Sequence, residues 1–398
     1  MDGIMENKRD RKEKRVWIIS ILVGISFLVG MAQFVFGGIL DKVALSVGVS
    51  IATAGQLTTA YSLANAFGTP AFIMAATRMA RRRQLLVGLA ILFLGMVLTF
   101  ALPGFTPLLI SRVLLGVGSG IFNVCAFTIV AELAPPGRQA RSLANLAMGL
   151  SSALVFGVPL ARVVANAYDW RAIFWATGLL SLLSIFAVAR SLPPIKEEEV
   201  APVPLSKQLA LLKEPKISGA LGISFFMFIS YSIVSTYITP FLTSAMAMDE
   251  GGISTILFGL GIASLVGAKL GGFMSDKMGV ARTLASGMAV QAIALVLISL
   301  FSSSALLSTP LLMVWSIGAW TCGPMLGLNL VSLAPEAAGI LLSLNGTFIM
   351  LGFAGGAAIG GIALTSLPVI AITWIGAATV AFAVVAFVLI YKYARSRR

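Results

Sequence analysis

The chain has 398 residues, 58% of them hydrophobic and 11% charged, with a formal net charge of +13. A soluble domain carries about 25% charged residues, so this composition excludes a soluble protein and points to an integral membrane one. The basic residues fall in short runs between apolar segments, which excludes a nucleic-acid-binding surface and assigns the charge to membrane topology.

Twelve apolar runs are long enough, at about 20 residues, to cross a ~30 Å hydrocarbon core. They cover residues 16–40, 51–75, 85–102, 106–130, 142–165 and 172–192, then 217–242, 253–273, 283–301, 306–330, 338–364 and 368–391. The fold class expected is an all-α integral membrane protein, with two six-helix pseudo-symmetric bundles around a central cavity. The divisions are a basic N-terminus (1–15), an N-terminal bundle (16–192), a linker (193–216), a C-terminal bundle (217–391) and a tail (392–398). The first run is too long for a signal-peptide core and lacks a small-residue cleavage pattern, so it is expected to stay.

Most of the 28 basic residues fall at the termini and in alternate connections. These include Arg78 and Arg81–Arg83 after the second segment, Arg138 and Arg141 after the fourth, and Lys277 with Arg282 after the eighth. Only Lys42, Arg162 and Arg171 fall in the other connections or near them. The positive-inside rule makes the first side, with both termini, cytoplasmic.

The first segment carries Gln33 on a small and polar face, with Asp41 just beyond its end. The second closes in GTPAFIMAATRMARRR, and the eighth echoes it with GGFMSDKMGVAR, which contains Gly272, Asp276 and Lys277. The fourth contains LISRVLLGVGSGIFN, where Arg112 is the only charge between Arg83 and Glu132. Arg112, Gly116, Ser119 and Asn123 follow one another at helical spacing and form one stripe, expected to face the cavity of the N-terminal half. Gly116 and Gly120 allow close approach to a neighbouring helix. GVGSG lies mid-helix with no strand before it, which excludes a dinucleotide fingerprint.

In the fifth segment Pro159 removes a backbone donor and is expected to kink the helix after Gly157. Arg162, near the outer end, is expected to snorkel to the interface, as is Lys269 at the inner end of the eighth segment. The linker PPIKEEEVAPVPLSKQLALLKEPK reads as flexible, with LSKQLALLK as a short amphipathic helix on the membrane surface. The seventh segment offers Tyr231 and, in TYITPFL, Tyr237; the tenth offers Trp315, Cys322 and Asn329; the eleventh offers Asn345. Amides, hydroxyls and aromatic walls suit a neutral or weakly polar small molecule.

These motifs, in this order, resemble the major facilitator superfamily, and within it the twelve-helix drug:proton antiporter branch with sugar- and purine-efflux proteins. RVLLGVGSG is similar to that branch's Arg-x-x-x-Gly-x-Gly-x-Gly signature, and GVPLAR followed by WRAIFW to its Gly-x-Pro motif. TYITPFL and the Asn-then-glycine run SLNGTF…LGFAGGAAIGG complete the likeness. The resemblance implies a secondary transporter of the cell (inner) membrane, working as a monomer by alternating access and exporting a drug, nucleobase or sugar-like molecule against protons. It implies that the Gly157–Pro159 kink favours exchange over leak and that the acid at Asp276 locks the cytoplasmic gate. The first half departs from that gate motif, with Thr77 where the family has Asp and Ala80 where it has Gly; Arg78, Arg81 and Arg82 remain.

No histidine is present and the two cysteines sit on different segments, so neither an enzyme nor a metal or other cofactor is expected. No Walker-type loop appears. Proton coupling normally uses a carboxylate inside the membrane, yet the place where this branch often has one holds Gln33. Asp41 is therefore the candidate proton site. Open alternatives are Arg112 sensing an anionic substrate, a proton-independent facilitator or exchanger, an uptake carrier, and a non-transporting sensor. The partners expected are a small solute, protons and membrane lipid.

Overall fold

A computed structural model describes residues 2–135, 138–192 and 210–396. Most of the expected amphipathic linker helix and the Glu197–Glu199 run lie outside the described residues. Among the described residues twelve helical rods follow one another. They are α1 (Asp2–Val47), α2 (51–75), α3 (Arg81–Ala101), α4 (Phe105–Leu133), α5 (139–167) and α6 (Arg171–Ser191), followed by α7 (215–244), α8 (Glu250–Met278), α9 (Val280–Phe301), α10 (Ala305–Leu333), α11 (Ala338–Ser366) and α12 (Ala371–Ser396). Among the described residues eleven are apolar and long enough to span a membrane, α5 continuing through a π turn to do so; α2 reaches that length in the same way. α1 starts well before the expected residue 16, because its polar beginning extends the same helix.

Three rods are interrupted where the sequence places proline. In α5 a π turn, Ala153–Gly157, precedes Pro159; in α2 a π turn, Ala64–Gly68, precedes Pro70. Proline lacks an N–H and crowds the carbonyl four residues back, and one wider turn absorbs both defects. The segments read Phe67-Gly68-Thr69-Pro70 and Phe156-Gly157-Val158-Pro159, on two helices that run in opposite directions. In α7, Pro240 crowds the Thr236 carbonyl, and the helix breaks at Tyr237 (φ −108°, ψ 22°).

The core forms two large apolar clusters. One lies wholly among residues of α1–α6; the other is built mainly from α7–α12 and takes in Leu40, Ala44, Ala54 and Val158 from the first half. The connections with Arg78–Arg83, Arg138 and Gly279 lie on one face of the molecule, called here the basic face. Asp41, Arg162, Asp169 and Glu250 lie toward the opposite face. Between the halves, α2 packs along α11 and α5 along α8. The second contact is tight: any side chain at Gly261 of α8 would collide with the backbone of Leu154 and Val155 in the α5 π turn.

Candidate functional site

A cavity of about 750 Å³, its open side included, lies between the halves. α1, α2 and α5 line it from one half, with Gln33, Thr58 and Ser62 among the polar groups; α7, α8, α10 and α11 line it from the other. Tyr231, Trp315 and Phe353 form much of the second wall, and Phe34 projects across to reach Trp320 and Phe353, both at 6.4 Å between ring centroids. Tyr231 stacks on Trp315 at 5.3 Å and 15°, and its hydroxyl accepts a hydrogen bond from Trp320 Nε1 at 3.2 Å. Among the described residues, no Asp, Glu, Lys or Arg lines the cavity.

Toward the opposite face the cavity is sealed. The Gly37–Gly38 pair of α1 lies beside the α7 break, where Thr239 Oγ1 donates to the Gly37 carbonyl at 3.3 Å. α1 itself departs from helical geometry at Ile39, one residue past the pair. Tyr237 is fully buried in this seam; its hydroxyl donates to the Ala357 carbonyl of α11 at 2.7 Å and fills the space that a side chain at Gly55 of α2 would need. Tyr237 is therefore part of the seal and not of the cavity wall.

Beyond the seam lies a charge network. Arg162 of α5 pairs with Asp41 of α1 at 2.5 Å and with Glu250 at the start of α8 at 2.7 Å, and Lys42 meets the other oxygen of Glu250 at 2.6 Å. The Arg162 side chain is 1% exposed. The expectation that it snorkels to the interface is thus corrected: two carboxylates draw the guanidinium inward and neutralise it there. Asp41, expected to face the cavity, instead faces Arg162. Glu250, which carries no motif, is the member that joins the two halves.

Arg112 is also corrected. It does not face the cavity; it is fully buried between α1 and α2. Nη1 donates to the Ala32 carbonyl at 2.5 Å and Nε to the Leu57 carbonyl at 3.2 Å, while the guanidinium lies 4.4 Å from the Phe36 ring centre and 4.5 Å from that of Tyr61. Carbonyl dipoles and two aromatic faces stabilise the cation without an anion. The helical stripe it begins faces the same seam: Gly116 and Gly120 press against Tyr61 and Thr69 of α2, and the Gly116 carbonyl accepts from Asn65 Nδ2 at 3.1 Å.

The remaining expected positions lie apart from the cavity. Asn123 and Asn329 are half-buried in α4 and α10, and Asn345 is buried, accepting from Ser224 at 2.7 Å. On the basic face Arg78 is exposed, Arg81 donates to Gln84 Oε1 at 3.1 Å, and Arg82 donates to the Ala189 carbonyl. Gln84 itself is buried and holds the turn by donating to the carbonyls of Ala76 and Met79, each at 2.8 Å. Asp276 and Lys277 are exposed; Lys277 lies over the Phe273 ring, and Asp276 has no ion pair among the described residues. Gly272 borders open space. Hydrogen bonds and ion pairs between the halves include Lys42–Glu250, Arg162–Glu250, Asn166–Glu250, Thr239–Gly37 and, at mid-depth, Thr59–Ala354.

Residues 22–357 match the family model of the Major Facilitator Superfamily. The chain belongs to that superfamily. It is 38% identical over 376 residues to the uncharacterized MFS-type transporter YbcL of Bacillus subtilis (strain 168), covering 94% of this chain and 96% of the relative. It is 29% identical over 349 residues to the inner membrane transport protein YdhP of Escherichia coli (strain K12), covering 88% and 89%. Its fold is similar to the crystal structure of a bacterial homologue of the human lysosomal transporter Spinster, solved inward-facing and unoccupied. The TM-score is 0.75 at 17% identity, with 96% and 97% of the two chains covered. This superfamily member is thus a multi-pass membrane secondary transporter. Its Arg-x-x-x-Gly stripe seals helices together, and its cavity is uncharged.

Proposed function

We propose that the protein exports a small organic molecule from the cell by alternating access, with the basic face cytoplasmic and both termini inside. The observation that carries this reading is the cavity shared by two halves and closed on one face only by contacts that the halves can break. The excess of Lys and Arg on the basic face supports the orientation. The unpaired Asp276 there, set against the paired Glu250 on the other face, fits an inward-facing state.

The coupling ion in this reading is the proton, and Asp41 takes it. A protonated Asp41 cannot hold Arg162 as an ion pair, so proton uptake from outside accompanies opening of that face. Reforming the pair as the face closes discharges the proton toward the cavity, whose wall at Gly37 and Gly38 is one helical turn away. A second reading, solute exchange without protons, is favoured by the lack of any carboxylate in the cavity wall.

Proteoliposomes separate the two. A solute screen identifies a transported compound by counterflow, and an imposed proton gradient is then applied. Under proton antiport the gradient drives accumulation in the native protein, and Asp41→Asn abolishes that accumulation while sparing counterflow. Accumulation that survives Asp41→Asn removes Asp41 from the mechanism; counterflow indifferent to the gradient in the native protein establishes the second reading.

A further inference from the structure

The cavity wall differs from side to side in a way that selects ligand chemistry. Resting on the transport reading above, we propose that the cavity binds uncharged, flat ring compounds whose edge carries hydrogen-bonding groups, held against the Tyr231–Trp315–Phe353 aromatic cluster of the C-terminal half and the Gln33 amide of the N-terminal half, with hydroxyls from both halves around them.

Charge is decided first. No Asp, Glu, Lys or Arg lines the cavity among the described residues. The nearest buried cations lie outside the cavity wall: Arg112 holds two carbonyls and two rings, with only Nη2 unpartnered, and Arg162 holds two carboxylates. An ion entering would shed water with no counter-charge to meet, which is costly. A neutral solute bears no such penalty.

Shape is decided by the aromatic side. Tyr231 and Trp315 are stacked on each other, and Tyr231 is set edge-on to Trp320 at 5.9 Å and to Phe353 at 5.8 Å. Each ring is fixed by its neighbours, so the wall is a rigid surface with ring faces and edges on offer. Flat rings pack on such a surface with offset-stacked or edge-to-face geometry, worth about 0.5–1.5 kcal/mol beyond area burial. A puckered polyol gains neither.

Edge chemistry is decided by the polar groups left over. The indole Nε1 of Trp315, on a residue that lines the cavity, is buried and has no hydrogen-bond partner. Trp315 can only donate, so its partner is an acceptor such as a ring carbonyl or ring nitrogen. Gln33, which makes no hydrogen bond to another described residue in this state, offers an amide with both a donor and an acceptor. The two halves therefore touch different parts of one ligand, and binding it links them.

The test is binding to the purified protein in detergent, followed by counterflow in proteoliposomes. The probes are caffeine, uracil and coumarin, set against glucose, tetraphenylphosphonium and benzoate. At least one of the first three is expected to bind, and more tightly than each of the second three. Trp315→Phe, which keeps a ring but removes the N–H, and Gln33→Leu are each expected to weaken that binding about tenfold, or about 1.4 kcal/mol, with unchanged thermal unfolding. Tighter binding of glucose, the phosphonium cation or benzoate overturns the proposal, as does unchanged affinity in both variants or no binding by any flat probe. Counterflow of any probe sustains the transport reading whichever compounds bind. Binding of a flat probe with no counterflow by any compound leaves the ligand assignment standing and sinks the transport reading.

Discussion

At the centre of the N-terminal half a guanidinium lies between Phe36 and Tyr61, whereas at the centre of the C-terminal half Tyr231 lies on the indole of Trp315. The helices that carry these groups are matched. α4 and α10 are each 29 residues long and begin at Phe105 and Ala305, so Leu312 occupies the register of Arg112. Arg112 ties α1, α2 and α4 together by directed bonds to carbonyls; Leu312 is equally buried and contributes packing alone. The same contrast runs along the interface between the halves. The N-terminal half supplies α2 and α5, each opened by a π turn ahead of proline, and the C-terminal half supplies α8 and α11, each an unbroken helix. The difference teaches that one architecture can be held by charged joints on one side and by neutral hydrogen bonds and apolar packing on the other. The charged half is then the one with contacts that protons and ions can alter.

The hardest test of that contrast removes the shared cation. Arg162→Leu leaves Asp41 without a counter-charge and Glu250 with Lys42 alone; unpaired buried charge of this kind costs about 3–5 kcal/mol where both partners are buried, and less here because Glu250 is half-exposed. Transport is expected to collapse, and a cysteine at Thr239 to become reactive from the opposite face; native counterflow in this variant would show that the network is ornamental.

Next in size is the exchange of core chemistry between halves. Leu312→Ala is expected to lower stability by about 2–5 kcal/mol, as buried leucine truncations do. Arg112→Leu, which gives the N-terminal half the C-terminal residue, is expected to leave thermal unfolding near native or raise it, since replacing a buried charge with apolar volume is often neutral. Its counterflow is expected to fall about tenfold, about 1.4 kcal/mol of barrier. Unfolding curves for the two variants check the pair, and a larger loss for Arg112→Leu than for Leu312→Ala would break the comparison.

Smaller still are the prolines. Pro159→Ala supplies an N–H to the Val155 carbonyl and is expected to close the π turn that rests on Gly261, slowing counterflow a few-fold while raising thermal stability. Pro70→Ala is expected to act in the same direction. The smallest effect belongs to Lys42→Ala, because an exposed ion pair contributes about 0.2–1 kcal/mol. Its counterflow is expected to stay within about twofold of native at physiological salt, where exposed charges are screened.

The helices are legible because apolar length is a strong signal, and the interruption ahead of Pro159 follows from that proline; the break at Tyr237, ahead of Pro240, is not anticipated by the continuous apolar run 217–242. Arg162 was misjudged because a lone arginine near a helix end reads as interfacial, and its partner Glu250 is 88 positions away, brought near only by the fold. Arg112 was misjudged because helical spacing defines a stripe and not the neighbour it meets. Tyr61 and Phe36 carry no charge or motif to mark them as its partners. One signal was present and unread: Phe-Gly-x-Pro occurs at 67–70 and again at 156–159, and it marks both π turns at the interface.

In the proposed cycle the halves close the opposite face through Arg162 and open it in turn. Ser235→Cys, in a protein with Cys125 and Cys322 replaced by alanine, places a thiol in the cavity wall. Reaction with a membrane-impermeant maleimide, applied to one face of reconstituted vesicles at a time, reads the closure directly. Labelling is predicted from the basic face alone, and from both faces once Arg162→Leu is added; equal labelling from both faces in the parent, or none from the opposite face after Arg162→Leu, would contradict the account.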